Sequence, residues 1–255
     1  MFAPGIPIAN AHRTQLGLPA IEKLGDIHDA CAHAIVAVPK EFEPDAQDAA
    51  NVLRIGPVLD APPLSRQIDK VEVPDGSTPM VVVSLSTSAQ GGQVDLLQRC
   101  VDAVARLPVR AIVTTGASID PASVNAGANT RVVRYVPHSA ILPSASLVIT
   151  HAGLGTTMAE LGRGVPLLCT PMGRDQFFNA EQVQALGAGR MLRPDSSSDA
   201  IARPRRTSSI TTTSRPARSG WPSRSAATAA RRRPLPRSKR SRRREGSRRS
   251  GSVVV

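Results

Sequence analysis

V-P-H-S-A-I-L-P-S-A-S-L-V-I-T-H-A-G-L-G-T-T-M-A-E-L-G-R-G-V-P-L-L-C-T-P-M-G-R-D-Q, Val136 to Gln176, is the stretch that decides how this chain folds. Within it, Leu147 to Thr150 is a short apolar run rich in β-branched residues and bounded by turn formers, which predicts a buried strand. His151 then falls at that strand's carboxyl end. Gly153-Leu154-Gly155 makes a tight turn, and Thr156-Thr157 open a helix on which Met158, Leu161 and Val165 recur at helical spacing. A helix start presents unpaired backbone N–H groups and the positive end of a dipole, and glycine lets a ligand come close to the backbone. Together these make an anion site, and a phosphate is its usual occupant.

Two better-known glycine loops are set aside by the residues themselves. A dinucleotide fingerprint needs a third glycine where Met158 stands and an acidic residue on a following strand; a Walker loop needs Gly-Lys-Ser/Thr, which is absent. Instead, Glu160 lies one turn into the helix, and Asp175-Gln176 follow the next strand, Leu167 to Thr170. Carboxylates accept hydrogen bonds from vicinal hydroxyls, so this set suits a nucleotide carrying a polyhydroxylated group. Plainer readings stand beside it: Asp175 is also a favoured helix N-cap, and Thr156 and Thr157 would cap a helix in any fold.

Upstream, Met80 to Leu85 is apolar on both faces, as a parallel strand under helices should be. Ser86-Thr87-Ser88 leads through Gly91-Gly92 into an amphipathic helix with Val94, Leu97, Val101, Val104 and Leu107 on one face. Val109 to Thr114 and Val132 to Val136 are further strands, and a helix with Phe177, Ala180, Val183 and Leu186 runs to Gly187. Strand and helix alternating with short loops predicts an α/β fold, an open parallel Rossmann-like sheet with helices on both faces and ligands at the strands' carboxyl ends. Residues 57–79 hold five prolines and read as a linker. Before it come helices near Asn10 to Leu16 and Ile21 to Ala32, then strands Ala34 to Val38 and Val52 to Ile55. So few elements bury little core alone, and exposed edges are expected there.

The chain has 255 residues and a net charge of +12. That basicity belongs to one end: residues 203–255 hold 17 Lys and Arg against the single acid Glu245 and carry +16, which leaves −4 for residues 1–202. The same end is mostly Arg, Ser, Thr, Pro and Ala without aliphatic periodicity, which predicts a disordered basic tail from 201 to 255. Its composition resembles a GC-rich coding sequence read out of frame, so a frameshift near residue 200 is expected; the rival is a basic arm for nucleic acid or an acidic membrane surface. Trp221 is the tail's single aromatic, which disfavours stacking-based recognition, and no specific nucleic-acid partner is expected. Cys31, Cys100 and Cys169 are too far apart for a metal knuckle or redox pair and read as buried thiols in a reducing cytosol. There is no signal peptide and no apolar run near 18 residues, so a cytoplasmic protein without a transmembrane segment is expected, with the inner membrane face as an alternative location.

His151-Ala-Gly-Leu-Gly-Thr-Thr-Met-Ala-Glu160, Gly164-Val165-Pro166, Pro171, Asp175-Gln176 and Asn179-Ala180 resemble the donor-site signature of nucleotide-sugar-dependent glycosyltransferases with two Rossmann-like domains. These are the GT-B enzymes of the UDP-glycosyltransferase and macrolide or glycolipid transferase type. The resemblance is dense over residues 78–193 and weak over 10–60. It implies that His151, with Gly153, Gly155 and Thr156, meets the donor diphosphate, with Ser86 and Thr87 reaching the distal phosphate. It implies further that Glu160 holds the ribose hydroxyls, that Pro137 and His138 belong to the segment meeting the nucleobase, and that Asp175 and Gln176 read the sugar. Plant members carry Trp where this chain has Leu154.

On this resemblance residues 1–57 are the closing part of an acceptor domain whose earlier strands are absent, 58–79 the interdomain linker and 80–200 the donor-binding domain. The implied reaction is hexosyl transfer from a UDP- or dTDP-sugar to the hydroxyl of a small-molecule or lipid acceptor. No cofactor is implied, and no Asp-x-Asp pair indicates a metal on the diphosphate. The family's general base is a His near the start of the acceptor domain, so no catalytic residue is assigned here. The alternatives are a non-catalytic nucleotide-sugar-binding fragment and a nucleotide-sugar epimerase, which shares the fold.

Overall fold

The computed structural model describes residues 5–59 and 76–203. All of these fall within one compact unit, Met1–Trp221. Most of the expected linker and the basic tail beyond Arg203 lie outside the described residues.

The centre of the molecule is β3 (Met80–Ser84), the run Met-Val-Val-Val-Ser, buried along its whole length. Side chains of a strand alternate between faces, so a strand covered on both sides has no polar position to spare. Around it, β4 (Arg110–Thr114), β5 (Thr130–Val133), β6 (Ala145–Thr150), β7 (Leu167–Cys169) and β8 (Gly189–Met191) complete a sheet of order β5-β4-β3-β6-β7-β8. Every neighbouring pair in it is parallel.

The strand alternation sorts two cores. Val82, Ile112, Val148 and Leu167 point to one face, packed with Ile141, Leu142, Met158, Ala180 and Val183 from α4 (His138–Ile141), α5 (Leu154–Leu161), α6 (Gln176–Ala185) and the turn after α4. Val81, Val83, Ala111, Val113 and Ile149 point to the other, under Leu96, Leu97, Cys100, Val101 and Val104 of α3 (Gln93–Ala105) and Ile201 of α7 (Ser198–Ala202). Arg99 of α3 ties down the segment before α7 through the carbonyls of Pro194 (2.6 Å) and Ser196 (3.1 Å).

The expected alternation of strands and helices is present, with local differences. Val94 is exposed rather than on the buried face of α3; Gln93 takes the inward position because its amide donates to the Ser86 carbonyl at 2.6 Å. Helix α5 starts at Leu154, two residues earlier than the threonines suggest, because Gly153 serves as its N-cap. Cys100 and Cys169 are buried, but Cys31 is exposed, its thiol donating to the Ile27 carbonyl one turn back at 3.2 Å.

The amino-terminal segment consists of α1 (Ile6–Gln15), α2 (Gly25–Asp29) and a parallel pair, β1 (Ala34–Val36) with β2 (Val52–Arg54). The helix expected over Ile21 to Ala32 is reduced to the five residues of α2. Ile35 and Leu53, cross-strand partners, are 65% and 53% exposed, as expected of a sheet too small to cover itself. Two things hold the segment. Val38 and Phe42 enter the larger core beside Val82 and Ile141, and the Arg54 guanidinium bonds Asp48 in a fork (2.7 and 2.8 Å) and Glu43 (2.8 Å).

Candidate functional site

From β3 the chain steps outward through β4 to β5, then returns to lay β6 on the opposite side of β3. Connections leave β3 and β6 in opposite directions, so their carboxyl ends part and leave a crevice, the place where open parallel sheets bind ligands. A cavity of about 320 Å³ opens there, with Ser86, Thr87, Gln90, His138, His151 and Asp175 in its wall.

The β6 side is built by the turn that follows Thr150. Ala152 has φ 63°, a left-handed conformation that costs a non-glycine residue energy. It is held by a bond from its own N–H to Thr150 Oγ1 (3.3 Å) and by Asn179 Nδ2 donating to its carbonyl (3.0 Å). The His151 imidazole folds over Gly153: a Cβ at 153 would lie 2.6 Å from His151 Nε2, so only glycine accepts the ring there. The first helical bond of α5 runs from Thr157 N to Gly153 O. The N–H groups of Leu154, Gly155 and Thr156 precede it and have no acceptor within the helix, which aims the helix's positive end into the crevice.

The β3 side is the loop after Ser84. Ser86 is buried and its hydroxyl accepts from Ser88 N at 3.2 Å, and the loop lies across the crevice from α5. On the floor, Thr114 Oγ1 donates to Ser84 Oγ (2.9 Å), and Ser84 Oγ lies 3.1 Å from His138 Nε2. The other ring nitrogen, His138 Nδ1, lies 3.8 Å from Glu160 Oε1. Glu160 is 0% exposed, and neither carboxyl oxygen has a hydrogen-bond partner among the described residues. Burial holds its carboxyl in the protonated form to well above the usual carboxylate range. Burial likewise lowers the proton affinity of His138, helped by Arg163, and of His151, where Asp175 opposes the effect. Both rings favour the neutral form, so the His151 ring carries one N–H and no standing positive charge.

The rim carries charge and one aromatic ring. Arg134, Tyr135 and Arg174 all line the crevice, Tyr135 with 71% of its surface exposed. Arg174 has φ 56°, a strained turn that presents the start of α6. Asp175 sits at the N-cap position without capping; its Oδ2 accepts from Asn179 Nδ2 at 3.0 Å.

Of the residues singled out in the sequence, the crevice brings together Ser86, Thr87, His138, His151, Gly153, Gly155, Thr156, Asp175 and Gln176. Glu160 and Pro137 are not in its wall. Glu160 has no exposed surface and lies 3.8 Å from His138 Nδ1; Pro137 precedes α4 and its carbonyl accepts from Ala140 N. Sequence reasoning missed Ser84, Gln90, Thr114, Arg134, Tyr135 and Arg174. Tyr135 had a signal, being the only tyrosine of the chain and placed near the carboxyl end of the strand expected over Val132 to Val136; the others are brought in by the tertiary fold. Among the described residues no group of His, Cys, Asp or Glu is placed to hold a metal, and no helix is long and apolar enough to cross a membrane.

Residues 98–234 match the erythromycin biosynthesis protein CIII-like C-terminal domain, more than half of the chain. The chain belongs to this family. The match takes in β4 to β8 with α5 and α6 and runs on past Arg203 into the basic stretch. The chain is also 30% identical over 183 residues to the NDP-glycosyltransferase YjiC of Bacillus licheniformis, covering 70% of this chain and 45% of that protein. It is 34% identical over 163 residues to the PGL/p-HBAD biosynthesis rhamnosyltransferase of Mycobacterium bovis, covering 64% and 35%. The crystal structure of the glycotransferase of kitacinnamycin superposes with a TM-score of 0.65 at 28% identity, over 78% of this chain and 52% of that one. The chain thus spans less than half the length of these two curated relatives, and its fold is that of part of a GT-B glycosyltransferase.

Proposed function

We propose that this chain is the donor-binding half of a glycosyltransferase that moves a hexosyl group from a UDP- or dTDP-sugar to an acceptor hydroxyl. The observation that carries the reading is the crevice between β3 and β6, where the free N–H groups of α5 and the His151 ring face the hydroxyls of Ser86 and Thr87. A diphosphate suits that wall: N–H groups and hydroxyls donate to its oxygens, and the dipole of α5 opposes its charge. Tyr135, exposed at the rim beside the His138 segment, offers a face for a nucleobase, and Arg134 and Arg174 add positive field. Asp175 supplies an acceptor for sugar hydroxyls.

In the transfer the bond between the anomeric carbon and the diphosphate oxygen breaks and the acceptor oxygen bonds that carbon. Negative charge builds on the departing diphosphate, and preformed donors around it stabilise that charge most in the transition state. The N–H groups of Leu154 to Thr156 and the neutral His151 are these donors, with the ring free to take up a proton as charge accumulates. The acceptor proton is left to a base outside this crevice, supplied with the acceptor-binding half. The domain division at 57, 79 and 200 belongs to the same proposal.

Calorimetric titration with UDP, dTDP and their glucose conjugates tests the reading. Saturable micromolar binding is expected, falling at least tenfold in His151→Ala. A folded protein that binds none of the four ligands would refute it.

A further inference from the structure

The loop after β3 carries a donor that the sequence did not reveal. Gln176, at the start of α6, is 2% exposed, and its carboxamide is already committed: Oε1 accepts from Met172 N (2.8 Å) and Gly173 N (3.1 Å). Two backbone donors on one oxygen fix which end of that amide is which. Its Nε2 therefore points away and donates to Gln90 Oε1 at 3.2 Å. This contact fixes the second amide in turn. Gln90 Nε2 lies on the other side, buried, in a residue that lines the crevice, and without a hydrogen-bond partner among the described residues. Gln90 also precedes Gly91-Gly92, and its carbonyl accepts from Gln93 N (3.2 Å), so the turn into α3 holds its backbone in place.

A buried amide N–H without a partner is destabilising, so a ligand atom that satisfies it gains affinity. The neighbouring wall says what kind of atom. Asp175 lines the same crevice next to Gln176 and is a pure acceptor when ionised. A donor amide and an acceptor carboxylate from two residues that line one crevice match a hydroxyl, which both accepts and donates. A phosphate oxygen only accepts and would be repelled by the carboxylate. We infer that Gln90 Nε2 is a specificity-determining contact to a hydroxyl of the donor's sugar, held in orientation by the bond from Gln176 Nε2 to Gln90 Oε1. This rests on the donor-site reading above.

The test compares each nucleoside diphosphate with its own sugar conjugate, since a phosphate contact weakens both and a sugar contact weakens one. Titrate wild type, Gln90→Met and Gln90→Glu with UDP, UDP-glucose, dTDP and dTDP-glucose, and check each protein's thermal transition. Gln90→Met is neutral and of similar length. It should lose about tenfold in affinity for whichever glucose conjugate wild type prefers over the bare diphosphate, and stay within twofold for the diphosphate. Gln90→Glu keeps an oxygen for Gln176 and removes the donor, so the preference for the conjugate should shrink by a similar factor even where its charge weakens all four ligands; it decides the matter if Gln90→Met does not fold. Equal losses for diphosphate and conjugate, unchanged affinities, or a wild type that binds diphosphates with no preference for either conjugate would each overturn the assignment. A wild type that binds none of the four overturns the donor-site reading itself, and this inference with it.

Discussion

Replacing Glu160 by Gln keeps the shape of the side chain and removes its titration. The carboxyl has no exposed surface, and neither oxygen is hydrogen-bonded among the described residues. Burial therefore raises its proton affinity in the folded state above the 4.5 expected when unfolded. Below pH 4.5 both states hold the proton and folding costs nothing on this account. As pH climbs past that point the unfolded chain releases its proton while the folded chain keeps it, and stability falls until the folded group also ionises. The slope in that window is about 1.4 kcal/mol per pH unit. With a urea dependence of about 1–3 kcal/mol per molar, each unit moves the unfolding midpoint by about 0.5–1.4 M.

The groups around Glu160 do not obscure this. His138 Nδ1 lies 3.8 Å away and is itself biased towards neutrality by burial and Arg163, so its slope has the opposite sign and is common to both proteins. The nearby Cys169 thiol is pushed up to about 12 and stays protonated. The measurement is urea unfolding of wild type and Glu160→Gln from pH 4.5 to 7.5, taken as a difference curve. Wild type is expected to lose ground steadily relative to the variant as pH rises. Difference values that stay flat across the range would show that the carboxyl has the same proton affinity folded and unfolded, and the argument from burial would fail.

Two further outcomes follow from packing. Gly153→Ala should bind nucleoside diphosphates at least tenfold more weakly while its thermal transition barely moves, because the new Cβ meets the His151 side chain, at 2.6 Å from Nε2, rather than backbone; a large stability loss with unchanged affinity would contradict this. Phe42→Ala should cost about 3–5 kcal/mol in chemical unfolding, since Phe42 is 1% exposed and lies in the core with Val82 and Ile141. An unaltered transition would mean that the amino-terminal segment does not stabilise the sheet.

Several parts of the site were legible because they are local. The run Leu147 to Thr150, the glycine turn and the apolar spacing of Met158 and Leu161 specify strand, turn and helix within a few residues of one another, and His151 and Thr156 come with them. Helix α5 starts two residues before the threonines because Gly153 takes the N-cap position, which threonine capping propensity does not signal. Spacing alone places Val94 on the buried face of α3, whereas the hydrogen bond from Gln93 to the Ser86 carbonyl turns Gln93 inward and leaves Val94 exposed.

What the sequence by itself determined is the class of fold and the anion-binding turn, because hydrophobic period, glycine and helix polarity act over neighbouring residues. Only the tertiary structure decided that β3 and β6 lie side by side, that Glu160 is fully buried 3.8 Å from His138, and that Gln176 commits its amide to a turn and to Gln90. Those outcomes depend on strand order and on which buried polar atoms find partners. Both are settled by contacts between residues far apart in the chain, where no spacing rule reaches.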